Sequence, residues 1–121
     1  MDPATAPLRV LIADDDQDLA KALAKYLQKH GHAVTLAADG RQAVDLFQAQ
    51  PFDVTFMDVR MPTMNGVDSV LEIRRQWPDA RIVMMTGFRE AIVTKALEAG
   101  ALAVLHKPFE LREMLAHLPA A

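Results

Sequence analysis

Charged residues at three positions, far apart in the chain, each follow a short apolar run: Asp14-Asp15-Asp16, Asp58 and Lys107. In an open parallel α/β sheet the carboxyl ends of the strands share one edge, and that edge holds the ligand crevice. We therefore expect the three positions to meet in space. The sequence predicts a pocket that holds several carboxylates and one ammonium group.

Such a pocket favours metal binding and phosphoryl chemistry. Carboxylates a few ångströms apart repel one another, and one of them normally takes up a proton. A hard divalent cation such as Mg²⁺ removes this conflict because it prefers carboxylate oxygens. Two roles are open to Asp58, as a metal ligand or as a nucleophile that attacks phosphorus to form an acyl phosphate. In the second role, Mg²⁺, Lys107 and the hydroxyl of Thr86 would neutralise the charge on the transferring oxygens.

Ordinary structural roles compete with this interpretation. An Asp beside a helix start is favoured by the free N–H groups of the first turn, which explains Asp16 as an N-cap. Capping does not account for the two preceding carboxylates, Asp14 and Asp15. Asp58 alone resembles a turn residue, and Lys107 alone resembles a solvated lysine at a strand end. The chemical interpretation therefore depends on the positions converging.

Composition narrows the class of protein. The 121 residues match the size of one domain, with 51% apolar residues, 24% charged residues and a net charge of −3. This balance argues against direct nucleic-acid binding, which normally needs a basic face. The absence of cysteine excludes disulfides and thiolate metal sites. Neither a bilayer-spanning run nor a signal peptide is present, so we expect a cytoplasmic protein with no membrane contact.

Five apolar runs alternate with five amphipathic segments. The predicted strands are 8–13, 33–37, 53–57, 81–85 and 102–105. The predicted helices begin after Asp16 and then span 41–49, 66–76, 89–99 and 110–118. Alternating strands and helices require a parallel sheet with right-handed crossovers, which place helices on both faces. The strands are almost continuously apolar, as expected when both faces are covered.

Four motifs in this order resemble the receiver domain of bacterial two-component response regulators. They are Leu-Ile-Ala-Asp-Asp-Asp at 11–16, Phe-Met-Asp-Val-Arg-Met-Pro-Thr-Met-Asn-Gly at 56–66, Met-Met-Thr-Gly at 84–87, and His-Lys-Pro-Phe at 106–109. The resemblance covers residues 8–118, with 1–7 as a disordered lead-in and 119–121 as a tail. It implies a single-domain, flavodoxin-like (βα)5 three-layer sandwich with strand order 2-1-3-4-5.

The resemblance also implies a role for each matching residue. Asp58 corresponds to the phosphoacceptor and a Mg²⁺ ligand, Asp15 to the direct Mg²⁺ ligand, and Asp14 to its water-linked partner. The backbone carbonyl of Arg60 corresponds to a further metal ligand. Thr86 corresponds to the switch hydroxyl that moves toward the phosphoryl group. Lys107 corresponds to the lysine that contacts the phosphoryl group. In the family the peptide bond between this lysine and the following proline, here Pro108, is usually cis.

The implied function is phosphorelay signalling rather than an enzyme acting on other molecules. A sensor histidine kinase or phosphotransfer protein would donate the phosphoryl group, and the domain would assist this transfer and its own dephosphorylation. The response would be a shift of the face formed by the fourth helix, fifth strand and fifth helix. The same face would form the interface of a homodimer. The resemblance does not identify the downstream effector.

One departure from the family pattern leaves alternatives open. Val104 stands where an aromatic residue usually reports activation, so we expect the signal to pass through Gly87 and Phe88 instead.

A pseudo-receiver, a binding module that never uses phosphorylation, is the main alternative to the implied function. A flavodoxin-like FMN carrier would need Gly, Ser and Thr donors where three carboxylates stand. A Mg²⁺-dependent phosphatase would carry its nucleophile in an Asp-x-Asp motif after the first strand, whereas the apparent nucleophile here, Asp58, follows the third strand.

Overall fold

The computed structural model of the chain describes residues 7–61, 64–87 and 91–119. Strands and helices alternate along these residues. The strands are β1 (Arg9–Ala13), β2 (Ala33–Ala37), β3 (Val54–Asp58), β4 (Ile82–Thr86) and β5 (Ala103–His106). The helices are α1 (Gln17–Lys29), α2 (Gly40–Ala49), α3 (Gly66–Gln76), α4 (Ala91–Glu98) and α5 (Arg112–Leu115).

All strand pairs are parallel, and the sheet order is β2-β1-β3-β4-β5. One apolar core lies between the sheet and helices α1 and α5, and the other lies between the sheet and helices α2, α3 and α4. Every residue of the central strands β3 and β4 is buried. These observations confirm the predicted three-layer sandwich, its strand order and its continuously apolar central strands.

Helix starts follow the expected capping chemistry. The side chain of Asp16 accepts a hydrogen bond from the backbone N–H of Leu19 at 3.1 Å, which confirms Asp16 as the N-cap of α1. Asp39 caps α2 in the same way, through the backbone N–H of Gln42. Among the described residues, no helix is long and apolar enough to cross a membrane.

The predicted boundaries were wrong at several ends. β3 and β4 end one residue later than expected, because backbone pairing continues through Asp58, opposite Met85, and through Thr86, opposite His106. α5 is shorter than the predicted 110–118 segment.

Beyond Leu115, the backbone hydrogen bonds of α5 close over three residues instead of four. The N–H of Leu118 donates to the carbonyl of Leu115, and the N–H of His117 donates to that of Met114. This tighter pattern is typical of a fraying helix end. Residues 89 and 90 of the predicted fourth helix, most of the predicted lead-in and the last two residues of the predicted tail lie outside the described residues.

Candidate functional site

Asp14 is the most enclosed residue of the acidic group. It follows β1 directly and is fully buried. Its backbone N–H donates to the carbonyl of Ala37 at 3.1 Å, and its carbonyl accepts from the side-chain amide of Gln17 at 2.6 Å. Its carboxylate accepts from the backbone N–H of Asp16 at 2.9 Å and from Lys107 Nζ at 2.8 Å. Hydrogen bonds therefore hold both the backbone and the carboxylate of Asp14 in place.

Asp58 completes a cluster of three carboxylates. It is the last residue of β3, and only 8% of its surface is exposed. One oxygen each from Asp14, Asp15 and Asp58 lie within 4.8 Å of one another. Lys107 Nζ lies 3.4 Å from Asp58 Oδ1, so a single ammonium contacts two of the three carboxylates. The predicted convergence of the three sequence positions is confirmed.

The close packing shifts two pKa values. Burial and, to a smaller extent, the negative charge of Asp14 raise the pKa of Asp58 to about 6, although Lys107 opposes both effects. Burial alone would lower the pKa of Lys107, but its hydrogen bond to Asp14 and the charge of Asp58 raise it overall. Lys107 therefore stays charged at neutral pH, while Asp58 is mostly ionised and carries an energetic penalty for that ionisation.

The loop after β3 approaches Asp58 closely and depends on a glycine. A Cβ atom at Gly66 would lie 2.2 Å from the backbone oxygen of Asp58 and 2.9 Å from Cα of Val59. The N–H of Gly66 donates to the carbonyl of Val59 at 2.8 Å, which closes the loop. α3 can therefore begin against the acidic cluster only because residue 66 has no side chain.

The other predicted site residues border the cluster. Thr86, the last residue of β4, is buried, and its carbonyl accepts from the backbone N–H of Lys107 at 2.7 Å. The peptide bond between Lys107 and Pro108 is cis, as the family resemblance implies. Arg60 is exposed. It belongs to a cavity beside the cluster whose lining residues are Asp15, Val59, Arg60, Met61 and Asn65.

The donor set fits a hard divalent cation. Three carboxylates at one strand edge carry more negative charge than the single ammonium of Lys107 can balance. Burial is the main cause of the raised pKa of Asp58, and the negative charge of Asp14 adds to it. Oxygen ligands in such an arrangement suit Mg²⁺ or Ca²⁺. Asp14, Asp15 and Asp58 could therefore hold the ion, and the adjoining cavity borders Arg60.

Sequence reasoning missed two residues of this region. Gln17 was assigned no role, although its side chain contacts the backbone of Asp14. Gly66 was assigned only to the start of a helix. The Asn65-Gly66 pair was the available signal for a tight loop, whereas nothing in the sequence indicated the contact of Gln17. Val104 is half-buried and packs against the core beneath α2, α3 and α4. Phe88 lies outside the described residues.

The sheet order and the carboxylate cluster at its carboxyl edge define a flavodoxin-like α/β protein with an acidic crevice. The family model of the response regulator receiver domain matches residues 10–119, and the chain belongs to that family. This finding confirms the resemblance drawn from the four motifs.

Three known proteins illustrate the relationship. The response regulator MprA of Mycolicibacterium vanbaalenii is 36% identical over 116 residues, which cover 94% of this chain and 50% of MprA. This chain thus spans about half the length of that relative. The response regulator receiver protein CpdR of Brucella abortus is 35% identical over 108 residues, covering 88% of this chain and 90% of CpdR.

The third is a solved structure of a response regulator from Burkholderia pseudomallei with a phosphorylated aspartic acid, a calcium ion and citrate. It superimposes with a TM-score of 0.85 at 30% identity, covering 92% of this chain and 66% of that one.

Proposed function

We propose that this receiver domain accepts a phosphoryl group on Asp58 from the phosphohistidine of a sensor histidine kinase or phosphotransfer protein. The reaction would depend on Mg²⁺. The observation that supports this most is the cluster of three carboxylates, with one oxygen from each within 4.8 Å, and the ammonium of Lys107 placed 2.8 Å from Asp14 and 3.4 Å from Asp58. The phosphorylated aspartic acid of the Burkholderia relative supports the same chemistry.

In the proposed step, a carboxylate oxygen of Asp58 bonds to phosphorus as the phosphorus–nitrogen bond of the donor histidine breaks. The leaving imidazole keeps the electron pair of that bond. Asp58 suits the nucleophile because a pKa of about 6 leaves it mostly ionised at neutral pH. Lys107 suits the fixed cation because its raised pKa keeps it charged near the incoming negative oxygens.

The carboxylates of Asp14, Asp15 and Asp58 and the backbone carbonyl of Arg60 would hold Mg²⁺. The bound ion would neutralise charge on the transferring oxygens. The buried Asp14, fixed by four hydrogen bonds, would keep its negative charge at one position during transfer. Thr86 lies next to Lys107 at the sheet edge, and its hydroxyl would donate a hydrogen bond to the phosphoryl group.

The output surface is proposed on the face formed by α4, β5 and α5. Three large apolar side chains are exposed on or beside these elements: Leu97 at 48%, Leu102 at 49% and Leu111 at 37%. Exposed apolar side chains favour association with a partner. This face would bind a downstream effector or a second copy of the chain once phosphorylation shifts its conformational equilibrium.

Intact-mass spectrometry after incubation with acetyl phosphate and Mg²⁺ tests the proposal. We expect one phosphoryl adduct that hydroxylamine removes, no adduct in Asp58→Asn, and a normal adduct in the control Asp45→Asn. Asp45 is an exposed residue of α2, so its substitution leaves the crevice unchanged. An adduct that persists in Asp58→Asn would assign the acceptor elsewhere. A wild-type protein that takes up no phosphoryl group would favour the pseudo-receiver.

A further inference from the structure

Gln17 connects the acidic turn to the neighbouring strand. It is the first residue of α1, and its side chain is half-buried. Its Nε2 donates to the carbonyl of Asp14 at 2.6 Å and lies 3.4 Å from the carbonyl of Ala37, the last residue of β2. The carbonyl of Ala37 also accepts from the backbone N–H of Asp14. One side-chain amide therefore joins the ends of β1 and β2 at the acidic edge.

This contact meets a specific need of the turn. The carbonyl of Asp14 is buried beyond the end of β1, so it requires a hydrogen-bond donor. The charge of the cluster adds a second requirement. Repulsion among Asp14, Asp15 and Asp58 acts to separate the turn from β3. The amide of Asp16 and the ammonium of Lys107 hold the Asp14 carboxylate, whereas Gln17 holds the backbone that carries both Asp14 and Asp15.

We propose that Gln17 is a positioning residue for divalent-cation binding. Its amide holds the backbone of Asp14 and Asp15 so that their carboxylates face Asp58 before the ion arrives. The inference rests on the proposed Mg²⁺-dependent function and adds to it a residue that touches neither the ion nor the phosphoryl group. Residues of this kind commonly change metal affinity about 10-fold or more when they are replaced.

The test compares two glutamines beside the same strand end. Gln17→Met removes the amide and keeps the length of the side chain. Gln42→Met is the matched control, because the side chain of Gln42 accepts from the backbone N–H of Ala38 at 2.7 Å, whereas that of Gln17 donates to the carbonyl of Asp14. Each substitution removes a hydrogen bond to the main chain at the end of β2, so a purely structural role lowers the melting temperature in both.

Mg²⁺ affinity is then measured by isothermal titration calorimetry and by the Mg²⁺-dependent rise in melting temperature. We expect Gln17→Met to weaken Mg²⁺ binding about 10-fold, with Gln42→Met equal to wild type. Saturating Mg²⁺ should restore phosphorylation of Gln17→Met. Equal affinities in wild type and Gln17→Met, or equal losses in the two variants, would overturn the inference alone. Absence of Mg²⁺ binding in wild type would overturn the proposed function and this inference together.

Discussion

The amino and carboxyl edges of the sheet differ in how their polar and charged groups are paired. At the amino edge two backbone N–H groups have side-chain acceptors. The backbone N–H of Leu8 donates to His32 Nδ1 at 3.1 Å, and that of Arg9 donates to the Asp53 carboxylate at 2.7 Å. At the carboxyl edge three carboxylates face one another, and the ammonium of Lys107 contacts only those of Asp14 and Asp58. Polar contacts stabilise the fold at the amino edge, whereas repulsion among carboxylates destabilises it at the carboxyl edge.

Acidification should therefore have opposite effects at the two edges. The pKa of Asp58 is raised from 3.8 to about 6, so the folded state binds a proton more tightly than the unfolded state, and stability rises as the pH falls from 7 toward 4. Burial, with a smaller effect from His30, lowers the pKa of His32 below 6.5. The unfolded state then binds the proton more tightly, and this contribution to stability is lost as the pH falls below 6.5.

The largest expected difference between the edges comes from their glycines. Gly66→Ala should lower the free energy of unfolding by about 3 kcal/mol, because the new methyl group would overlap the backbone of Asp58. Gly31→Ala at the amino edge should cost about 1 kcal/mol, because Gly31 has a φ of +90° but open space around it. Gly87→Ala is the control, because no described residue other than its chain neighbours has an atom within 4 Å of the added methyl group. Urea unfolding measures all three, and similar losses for Gly66→Ala and Gly87→Ala would contradict the crowding at Asp58.

The second prediction isolates the charge conflict. In metal-free buffer at pH 8, Asp58→Asn should raise the free energy of unfolding by about 1–2 kcal/mol, because it removes a buried carboxylate under repulsion. At pH 4 wild-type Asp58 is protonated, and the advantage should disappear. Asp45→Asn loses only an exposed pair with Arg41 at 4.0 Å, so it should change stability by less than about 0.5 kcal/mol at either pH. Urea unfolding in chelator decides the matter: a variant less stable than wild type at pH 8 would mean that Lys107 already compensates Asp58 fully.

The smallest expected effect lies at the amino edge. His32→Asn keeps an oxygen that can accept from the N–H of Leu8 but does not titrate in this range. We expect it to cost less than about 1 kcal/mol at pH 8 and to remove part of the stability loss between pH 6.5 and 5. His117→Asn, in the turn after α5, is the control. Unchanged acid sensitivity in His32→Asn would show that His32 is not the titrating group.

The sequence predicted the sheet and the residues that meet at its edge, because both follow from local patterns. Apolar runs alternating with amphipathic segments dictate parallel strands, and parallel strands bring Asp14, Asp58 and Lys107 to one edge. The strand ends were displaced by one residue because the neighbouring strand decides where pairing stops. The contact of Gln17 with Asp14 and the closeness of Gly66 to Asp58 depend on side-chain and loop geometry. The roles assigned to the site residues stay predictions.

The most direct test of the central claim is the titration of the Asp58 carboxyl carbon by ¹³C NMR, with and without Mg²⁺. In metal-free protein we predict a pKa near 6, set by burial and by the charge of Asp14. Saturating Mg²⁺ should move the transition to clearly lower pH, because the bound cation favours the ionised carboxylate. A metal-free pKa near the ordinary 3.8 would contradict the claim that burial and carboxylate repulsion penalise ionised Asp58. A transition that Mg²⁺ leaves in place would contradict the claim that a bound cation removes this penalty.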